Sequence, residues 1–275
     1  MNTKNPYQVI PAEVEEVIQE SPLIKTLRVQ PEKDFSFDTG QFAEFSLPGV
    51  GEAPFTPSSS MHNQEYLDFT IMKTGFVTDR VHQVKAGETI GLRGPFGHGY
   101  PINDWKGKDI LIMGGGVGMA PTRSLLLSLI DNIEDYNSVT YLTGARTPDD
   151  MIYKDEVKDW RSVSGVEVIR GVDKVPDGQD WDEEVGLITT LLENIEVSAK
   201  DNPAVVCGPP VMMKFSTFEL QDYGFKDENI FLSMEKKMYC GHGQCRHCMI
   251  GEYYSCKDGP VFTYDKIKDE ENIWE

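Results

Sequence analysis

The chain has 275 residues, 39% hydrophobic and 10% aromatic, enough for one large domain or two ordinary ones and too apolar for a disordered chain. Its 45 acidic and 26 basic residues give a net charge of −19, which argues against nucleic-acid binding through a general basic surface. Four of its five cysteines fall between Cys240 and Cys256, a crowding that reads as a metal site rather than a disulfide framework.

The opening stretch, Met1 to Ile10, has no long apolar run of the secretory type, and the longest apolar runs, such as Ile110 to Met113, fall far short of a bilayer span. The cytoplasm is the expected compartment, where clustered thiols stay reduced. The first hundred residues read as all-β. Glu13–Glu20, Ile24–Gln30, Phe42–Leu47, Leu67–Thr74 and Thr89–Arg93 are strand-like, and turn residues such as Asp38-Thr39-Gly40 separate them. Strands so short and so spaced predict an antiparallel β-barrel or sandwich over residues 1–103.

The pattern changes near Asp104. Strands at Asp109–Met113, Ser138–Leu142, Val166–Arg170, Ala204–Cys207 and Ile230–Ser233 alternate with helices near Ala120–Asp131, Met151–Trp160, Leu187–Asn194 and Val211–Tyr223. That alternation predicts a doubly wound parallel sheet over 104–233. Residues 234–275 hold the cysteines and too little apolar content for a core of their own. They are expected to need a metal, or docking onto the rest, to be ordered.

The cysteines are spaced C-x4-C-x2-C-x7-C, as Cys240, Cys245, Cys248 and Cys256. Plant-type [2Fe–2S] ferredoxins open with C-x4-C-x2-C and add a later cysteine. Gly241 and Gly243 would let backbone amides approach the sulfurs. A structural zinc knot is the alternative, with His242 or His247 as a ligand, but zinc favours two short cysteine pairs and only one occurs here. A second signal is Met113-Gly114-Gly115-Gly116-Val117-Gly118-Met119-Ala120-Pro121, between a strand and a helix. Glycines there admit phosphate oxygens to the amides at a helix start, although tight strand–helix packing also selects glycine. A third is Val206-Cys207-Gly208-Pro209-Pro210 at the carboxyl end of a later strand, where open α/β sheets bind ligands. As a small core residue, Cys207 would need no such role.

Together these residues resemble the ferredoxin–NADP reductase superfamily, over essentially the whole chain. The terminal cluster motif is similar to the gamma subunits of sulfhydrogenases and NiFe hydrogenases, to the electron-transfer subunit of dihydroorotate dehydrogenase, and to one of the chains of anaerobic sulfite reductase. Cys256-Lys257-Asp258-Gly259-Pro260-Val261-Phe262 and the short Cys248-to-Cys256 spacing resemble the hydrogenase and sulfite-reductase types. The resemblance implies three lobes: an FAD barrel, a nicotinamide-nucleotide domain and a small iron–sulfur lobe.

The family's flavin motif, Arg-x-Tyr/Phe-Ser/Thr, falls on Ala53-Pro54-Phe55-Thr56, followed by Pro57 and Ser58. The resemblance puts Phe55 near the isoalloxazine, Thr56 near its N5 edge and Ser58 beside them. Ala53 replaces the usual arginine, and Arg80 and Arg93 are the candidates to supply its charge. Gly75, Val77 and Thr78 match the pyrophosphate turn, and Gly94-Pro95-Phe96-Gly97 the stretch that closes the barrel. Gly114, Gly115, Gly116, Gly118 and Pro121 match the nicotinamide-nucleotide turn, and Cys207, Gly208 and Pro209 the motif beside the nicotinamide. Arg146 follows the second α/β strand, where the adenosine ribose is usually read. It would favour a 2′-phosphate, while Asp149 and Asp150 would repel one; the balance leans to NAD over NADP. A surface ion pair with these aspartates is the other reading of Arg146.

The implied activity is a relay between NAD(P)H, FAD and a [2Fe–2S] cluster, in either direction, with electrons passing to or from large catalytic and iron–sulfur partner subunits. Thr56 and Cys207 are the side chains expected to tune hydride transfer. The rivals are a subunit of the dihydroorotate dehydrogenase or sulfite reductase type, a free-standing NAD(P)H-dependent flavin or ferredoxin reductase, and a non-enzymatic iron–sulfur sensor. Residues 104–233 carry 24 acidic and 12 basic residues, so most of the acidity lies away from the cysteine loop, which is slightly basic.

Overall fold

The computed structural model describes residues 5–274; residues 1–4 and 275, at the ends of the first and last sequence segments, lie outside it. The first sheet is antiparallel and contains β1 (Ile10–Ser21), β2 (Ile24–Pro31), β3 (Phe42–Leu47), β4 (Gly51–Phe55), β5 (Leu67–Met72) and, after helix α1 (Phe76–Val81), β6 (Thr89–Phe96). Its strand order is β4-β3-β6-β1-β2-β5. Alternation sets its faces. Leu67, Phe69 and Ile71 of β5 and Leu27 and Val29 of β2 enter the barrel core with Ala12, Val14, Phe45 and Leu92. Asp68 and Thr70 point the other way and are buried too, because the second domain covers them.

That domain holds β7 (Asp109–Gly115), α2 (Met119–Ile130), β8 (Ser138–Ala145), α3 (Val157–Ser162), β9 (Val166–Val172), β10 (Glu184–Val185), β11 (Ala204–Cys207), α4 (Pro210–Tyr223) and β12 (Ile230–Ser233). The sheet order is β10-β9-β8-β7-β11-β12, all parallel, and a strand of the tail, β15 (Val261–Thr263), adds antiparallel beyond β12. Ile110 to Met113 are fully buried, as the central strand of a sheet covered on both faces requires. The chain leaves β7 toward β8 and later returns to β11 on the other side, so the carboxyl ends of β7 and β11 form the switch point.

The remaining segment forms a two-stranded hairpin, β13 (Met249–Ile250) and β14 (Tyr253–Tyr254), then β15 (Val261–Thr263) and α5 (Tyr264–Ile267). β15 pairs antiparallel with β12 in the large sheet, while Phe42, Phe96, Met238, Cys248 and Cys256 make a small core against the barrel. The cysteine segment is thus anchored on both neighbours. No helix among the described residues is long and apolar enough to cross a membrane.

Three local departures from the sequence reading have physical causes. β4 escapes it because Gly51 and Pro54 weaken the strand signal, and its edge position tolerates them. The helix expected from Met151 starts only at Val157: Met151, Ile152 and Tyr153 are buried against the domain seam, with Tyr153 at φ +55°. The helix expected at Leu187–Asn194 is a 3-10 helix over Ile188–Asn194.

Candidate functional site

The seam between barrel and nucleotide domain is polar, buried and fully tied. Arg28 donates to both carboxylate oxygens of Asp68 at 2.9 and 3.1 Å, and Arg123 on α2 reaches Asp68 at 3.4 Å. Arg123 also donates to the Ser58 carbonyl at 2.7 Å and to Glu156 at 2.8 Å. Thr70 collects hydroxyl contacts from Thr26, Ser58 and Tyr153 at 2.8, 2.9 and 2.6 Å. Ser58 therefore belongs to this seam: its side chain and carbonyl are both engaged there, and it is fully buried. The network ties β2, β5 and the segment after β4 to α2 of the second domain.

Phe55 and Thr56, at the end of β4, are half-buried, and the Thr56 hydroxyl has no hydrogen-bond partner among the described residues. Thr78 caps its own turn: its Oγ1 accepts from the amides of Thr74 and Gly75 at 2.8 and 2.9 Å and donates to the Gly75 carbonyl at 3.0 Å. The amides of Phe76 and Val77, in the first turn of α1, have no intrahelical acceptor. A side chain at Gly75 would meet nothing within 4 Å. A free hydroxyl, a half-exposed ring and unpaired amides over open space fit a flavin dinucleotide along this edge. Arg93, one of the two candidates to replace the missing arginine, is committed to Glu52 and the cysteine loop instead.

At the switch point the glycine turn is a short 3-10 step, Gly116–Gly118, leading into α2. Gly118 has a strict steric reason: a Cβ there would lie 2.5 Å from the Cys207 carbonyl oxygen. The two predicted nucleotide segments therefore touch, backbone to backbone. Gly116 stands over open space, which fits a pyrophosphate reaching the amides at the start of α2. Pro121 lies on the first turn of α2, half-buried, and Gly208 and Pro209 lead into α4. Cys207 is buried, its thiol directed at the Ser233 carbonyl at 3.9 Å, and burial pushes its pKa up to about 12. It is a neutral thiol at any physiological pH. Arg146 is exposed after β8 and makes no ion pair with Asp149 or Asp150, which bond Gln179 and Thr147 instead.

The four clustered cysteines act on one another in two pairs, Cys240 on Cys245 and Cys248 on Cys256. The Gly243 amide donates to Cys256 Sγ at 3.1 Å and the Gln244 amide to Cys240 Sγ at 3.3 Å. The amide of His247 acts on Cys245 and is the main cause holding that thiol below its usual pKa, while burial pushes Cys256 up. Among the described residues no group of three or more His, Cys, Asp or Glu side chains forms a single-ion site. Two thiol pairs with amides aimed at sulfur fit a two-iron cluster, which takes two ligands per iron. His247 turns its ring to the Cys245 carbonyl and the Tyr239 ring rather than to the sulfurs. The pairs differ in exposure: Cys248 and Cys256 face Phe42 and Phe96 of the barrel, whereas Cys245 stands among exposed Gln244, Arg246 and His247. Sequence reasoning offered Arg93 as a flavin cation and missed Glu52 and the joint the two make between the barrel and this loop; no local signal in the sequence reports a contact between Arg93 and Cys240, 147 residues apart.

Two family models match the chain: the oxidoreductase NAD-binding domain over residues 112–217, and the iron–sulfur cluster binding domain of dihydroorotate dehydrogenase B over 235–268. The sulfhydrogenase 1 gamma subunit of Pyrococcus furiosus is 37% identical over 238 residues, covering 85% of this chain and 81% of the relative. A probable dihydroorotate dehydrogenase B (NAD(+)) electron transfer subunit of Methanocaldococcus jannaschii is 34% identical over 262 residues, covering 93% and 90%. The chain belongs to the family of these electron-transfer subunits. It is an oxidoreductase chain with a nicotinamide-nucleotide domain and an iron–sulfur lobe. Among solved structures, a chain of the NADH-dependent reduced ferredoxin–NADP oxidoreductase superposes with a TM-score of 0.74 at 22% identity, over 98% of this chain and 93% of that one. A ferredoxin NADP+ reductase from Neisseria gonorrhoeae gives 0.71 at 18%, over 83% and 98%. The fold is that of the ferredoxin–NADP reductases, with the cysteine segment added beyond the nucleotide domain.

Proposed function

We propose that this chain is the electron-transfer flavoprotein subunit of a cytoplasmic complex, moving electrons between NAD(P)H, FAD and a [2Fe–2S] cluster and exchanging them with a catalytic partner subunit of the hydrogenase or sulfhydrogenase type. The observation that carries the reading is the pairing of four cysteines, amides directed at their sulfurs, on a loop packed against the barrel strand pair that leads to the flavin edge. Phe42 pairs with Phe96 in that sheet, and its neighbour Ala43 pairs with Phe55. In this reading residues 1–103 carry the flavin, 104–233 the nicotinamide nucleotide and 234–275 the cluster.

Flavin supplies the exchange between two-electron hydride chemistry and single electrons, and the cluster carries electrons one at a time. The chain's own residues supply position and charge. Cys240, Cys245, Cys248 and Cys256 hold the iron. Gly114 to Gly118 and Pro121 admit the nucleotide pyrophosphate, with Gly208 and Pro209 forming the facing wall. Cys207, a neutral thiol, lines the nicotinamide side without adding a charge that hydride movement would have to overcome. Thr56 would offer its free hydroxyl, and Phe55 an apolar ring, to a bound flavin. Gly75, Val77 and Thr78 shape the turn that receives the flavin phosphates, and Arg80 on α1 is the remaining cation near it. Ser58 contributes indirectly, through the seam. The exposed Arg146, free of Asp149 and Asp150, is available to the adenosine ribose; the two nearby aspartates favour NAD over its phosphorylated form. Cys245, on the exposed edge of the lobe, marks where electrons leave toward the partner.

The test is anaerobic purification with spectra and cofactor analysis. The expected protein has one FAD and two iron atoms per chain, and NADH bleaches its flavin. A colourless protein holding one zinc would overturn the reading. A monomer that reduces its native acceptor unaided would overturn the partner assignment.

A further inference from the structure

One buried guanidinium joins the barrel, the N-terminal arm and the cysteine loop. Arg93, on β6, is 4% exposed. Its Nε donates to both Glu52 carboxylate oxygens at 3.0 and 3.1 Å, and its Nη2 to one of them at 2.6 Å. Nη1 donates to the Pro6 carbonyl at 2.9 Å and the Cys240 carbonyl at 3.4 Å, and Nη2 also reaches the Tyr239 carbonyl at 3.5 Å. Around it the loop is closed on two sides. Tyr7 donates from its hydroxyl to Gln244 at 2.8 Å and sets its ring edge-on to His242 at 5.1 Å. Gly241, at φ +79°, lies so close to the Phe96 ring that a Cβ would fall 2.7 Å from it.

A planar fork that satisfies a carboxylate and three carbonyls from different segments is a task for arginine, which lysine's point charge cannot perform. The charge also has an electrical consequence. Reduction adds one negative charge to an iron–sulfur centre, and cluster potentials respond to nearby charge and to hydrogen bonds around the ligands. Glu52 opposes the guanidinium from the far side, while Nη1 faces the first cysteine.

We propose that Arg93 is a positioning residue for the cluster: its fork pins the loop at Tyr239 and Cys240 against the barrel, and its charge, balanced by Glu52, sets how readily the cluster accepts an electron. This rests on the reading of the lobe as a [2Fe–2S] site.

The experiment uses full-length, anaerobically purified protein, with two readouts besides activity: an EPR-monitored redox titration of the cluster, and backbone amide exchange over residues 239–244. Arg93→Gln is expected to make cluster reduction about tenfold less favourable, which is 59 mV for a one-electron couple, and to speed exchange in the loop about tenfold. Glu52→Gln is expected to move the potential the opposite way, because it removes the carboxylate that the guanidinium hydrogen-bonds, leaving Glu44 as the nearby carboxylate. Arg93→Lys, which keeps charge without the fork, should hold the reduction equilibrium within about threefold of the parent while losing exchange protection. Shifts of the same sign in Arg93→Gln and Glu52→Gln, or no shift in either, overturn the proposal. Should Arg93→Gln fail to load iron, the sign in Glu52→Gln decides alone, and failure of both to load overturns the tuning role. A parent protein without a cluster would defeat the functional reading itself, whereas a loaded parent with unmoved variants defeats only this inference.

Discussion

Asp68→Asn is the most informative single change in the seam. Asp68 is 1% exposed and accepts from two arginines, Arg28 through a bidentate pair and Arg123 at 3.4 Å. The amide removes the negative charge and leaves Arg123, itself buried, with Glu156 and the Ser58 carbonyl. Breaking a buried pair by deleting one partner costs about 3–5 kcal/mol. For a chain of this size that lowers Tm by roughly 6–10 °C, at about 2 °C per kcal/mol. Adding Arg123→Met should cost much less than in the parent, since both changes act on one network; a coupling of about 1–3 kcal/mol is expected. The assay is thermal and urea unfolding of the two single variants and the double variant. A functional readout accompanies it. In the proposed relay the hydride crosses between the two domains that the seam joins, and hydride transfer tolerates little misplacement, so flavin bleaching by NADH should slow by about 10–100-fold in Asp68→Asn. A loss below about 1 kcal/mol with an unchanged bleaching rate would refute the seam as the element that aligns the two domains.

Cys245→Ser should abolish electron delivery to a one-electron acceptor while NADH still bleaches the flavin; stopped-flow absorbance that shows no bleaching in a folded variant would reverse the proposed order of carriers. Gly118→Ala drives a Cβ into the Cys207 carbonyl and should cost about 1–3 kcal/mol together with most of the nucleotide affinity, read by NADH titration and a melt. Glu44 is almost fully buried, and burial is the main cause that raises its pKa to about 7. The native state thus binds its proton more tightly than the unfolded chain, so Glu44 makes stability fall as pH rises from about 4.5 to 7, by about 3 kcal/mol. Glu44→Gln should flatten that part of the pH–stability curve; an unchanged slope would show that Glu44 is not the group responsible.

The sequence was most legible where one periodicity served one purpose. The central strand Ile110–Met113 is apolar throughout because both of its faces are covered, and the glycines that follow it stand where the chain turns into α2. The cysteine spacing was equally direct, because a ligand set is local: three of its four members lie within nine residues. Legibility failed where two surfaces compete for one residue. Met151–Tyr153 carries an apolar pattern that suits a helix, yet Met151 and Ile152 fill the core and Tyr153 reaches the barrel, its hydroxyl bonded to Thr70 across the seam. Ser58 falls beside the flavin motif in sequence, but the same seam takes its hydroxyl and its carbonyl. No local signal reports a partner 65 residues away.

The missing arginine of the flavin motif shows the same limit in sharper form. Ala53 leaves a charge to be found, and the sequence offers Arg80 and Arg93 on equal terms. The structure separates them by what surrounds each one. Arg93 is buried and saturated, with a carboxylate and three carbonyls as acceptors, and its neighbours are the cysteine loop and the N-terminal arm. Arg80 is exposed on α1, its guanidinium hydrogen-bonded among the described residues only to Gln83, five residues beyond the glycine that opens the turn. A cation free to move suits a solvent-facing phosphate, and a cation locked among carbonyls suits a joint between segments. The chain thus places its buried arginine on β6, two strands from Ala53 in the sheet, as the joint between barrel and cysteine loop.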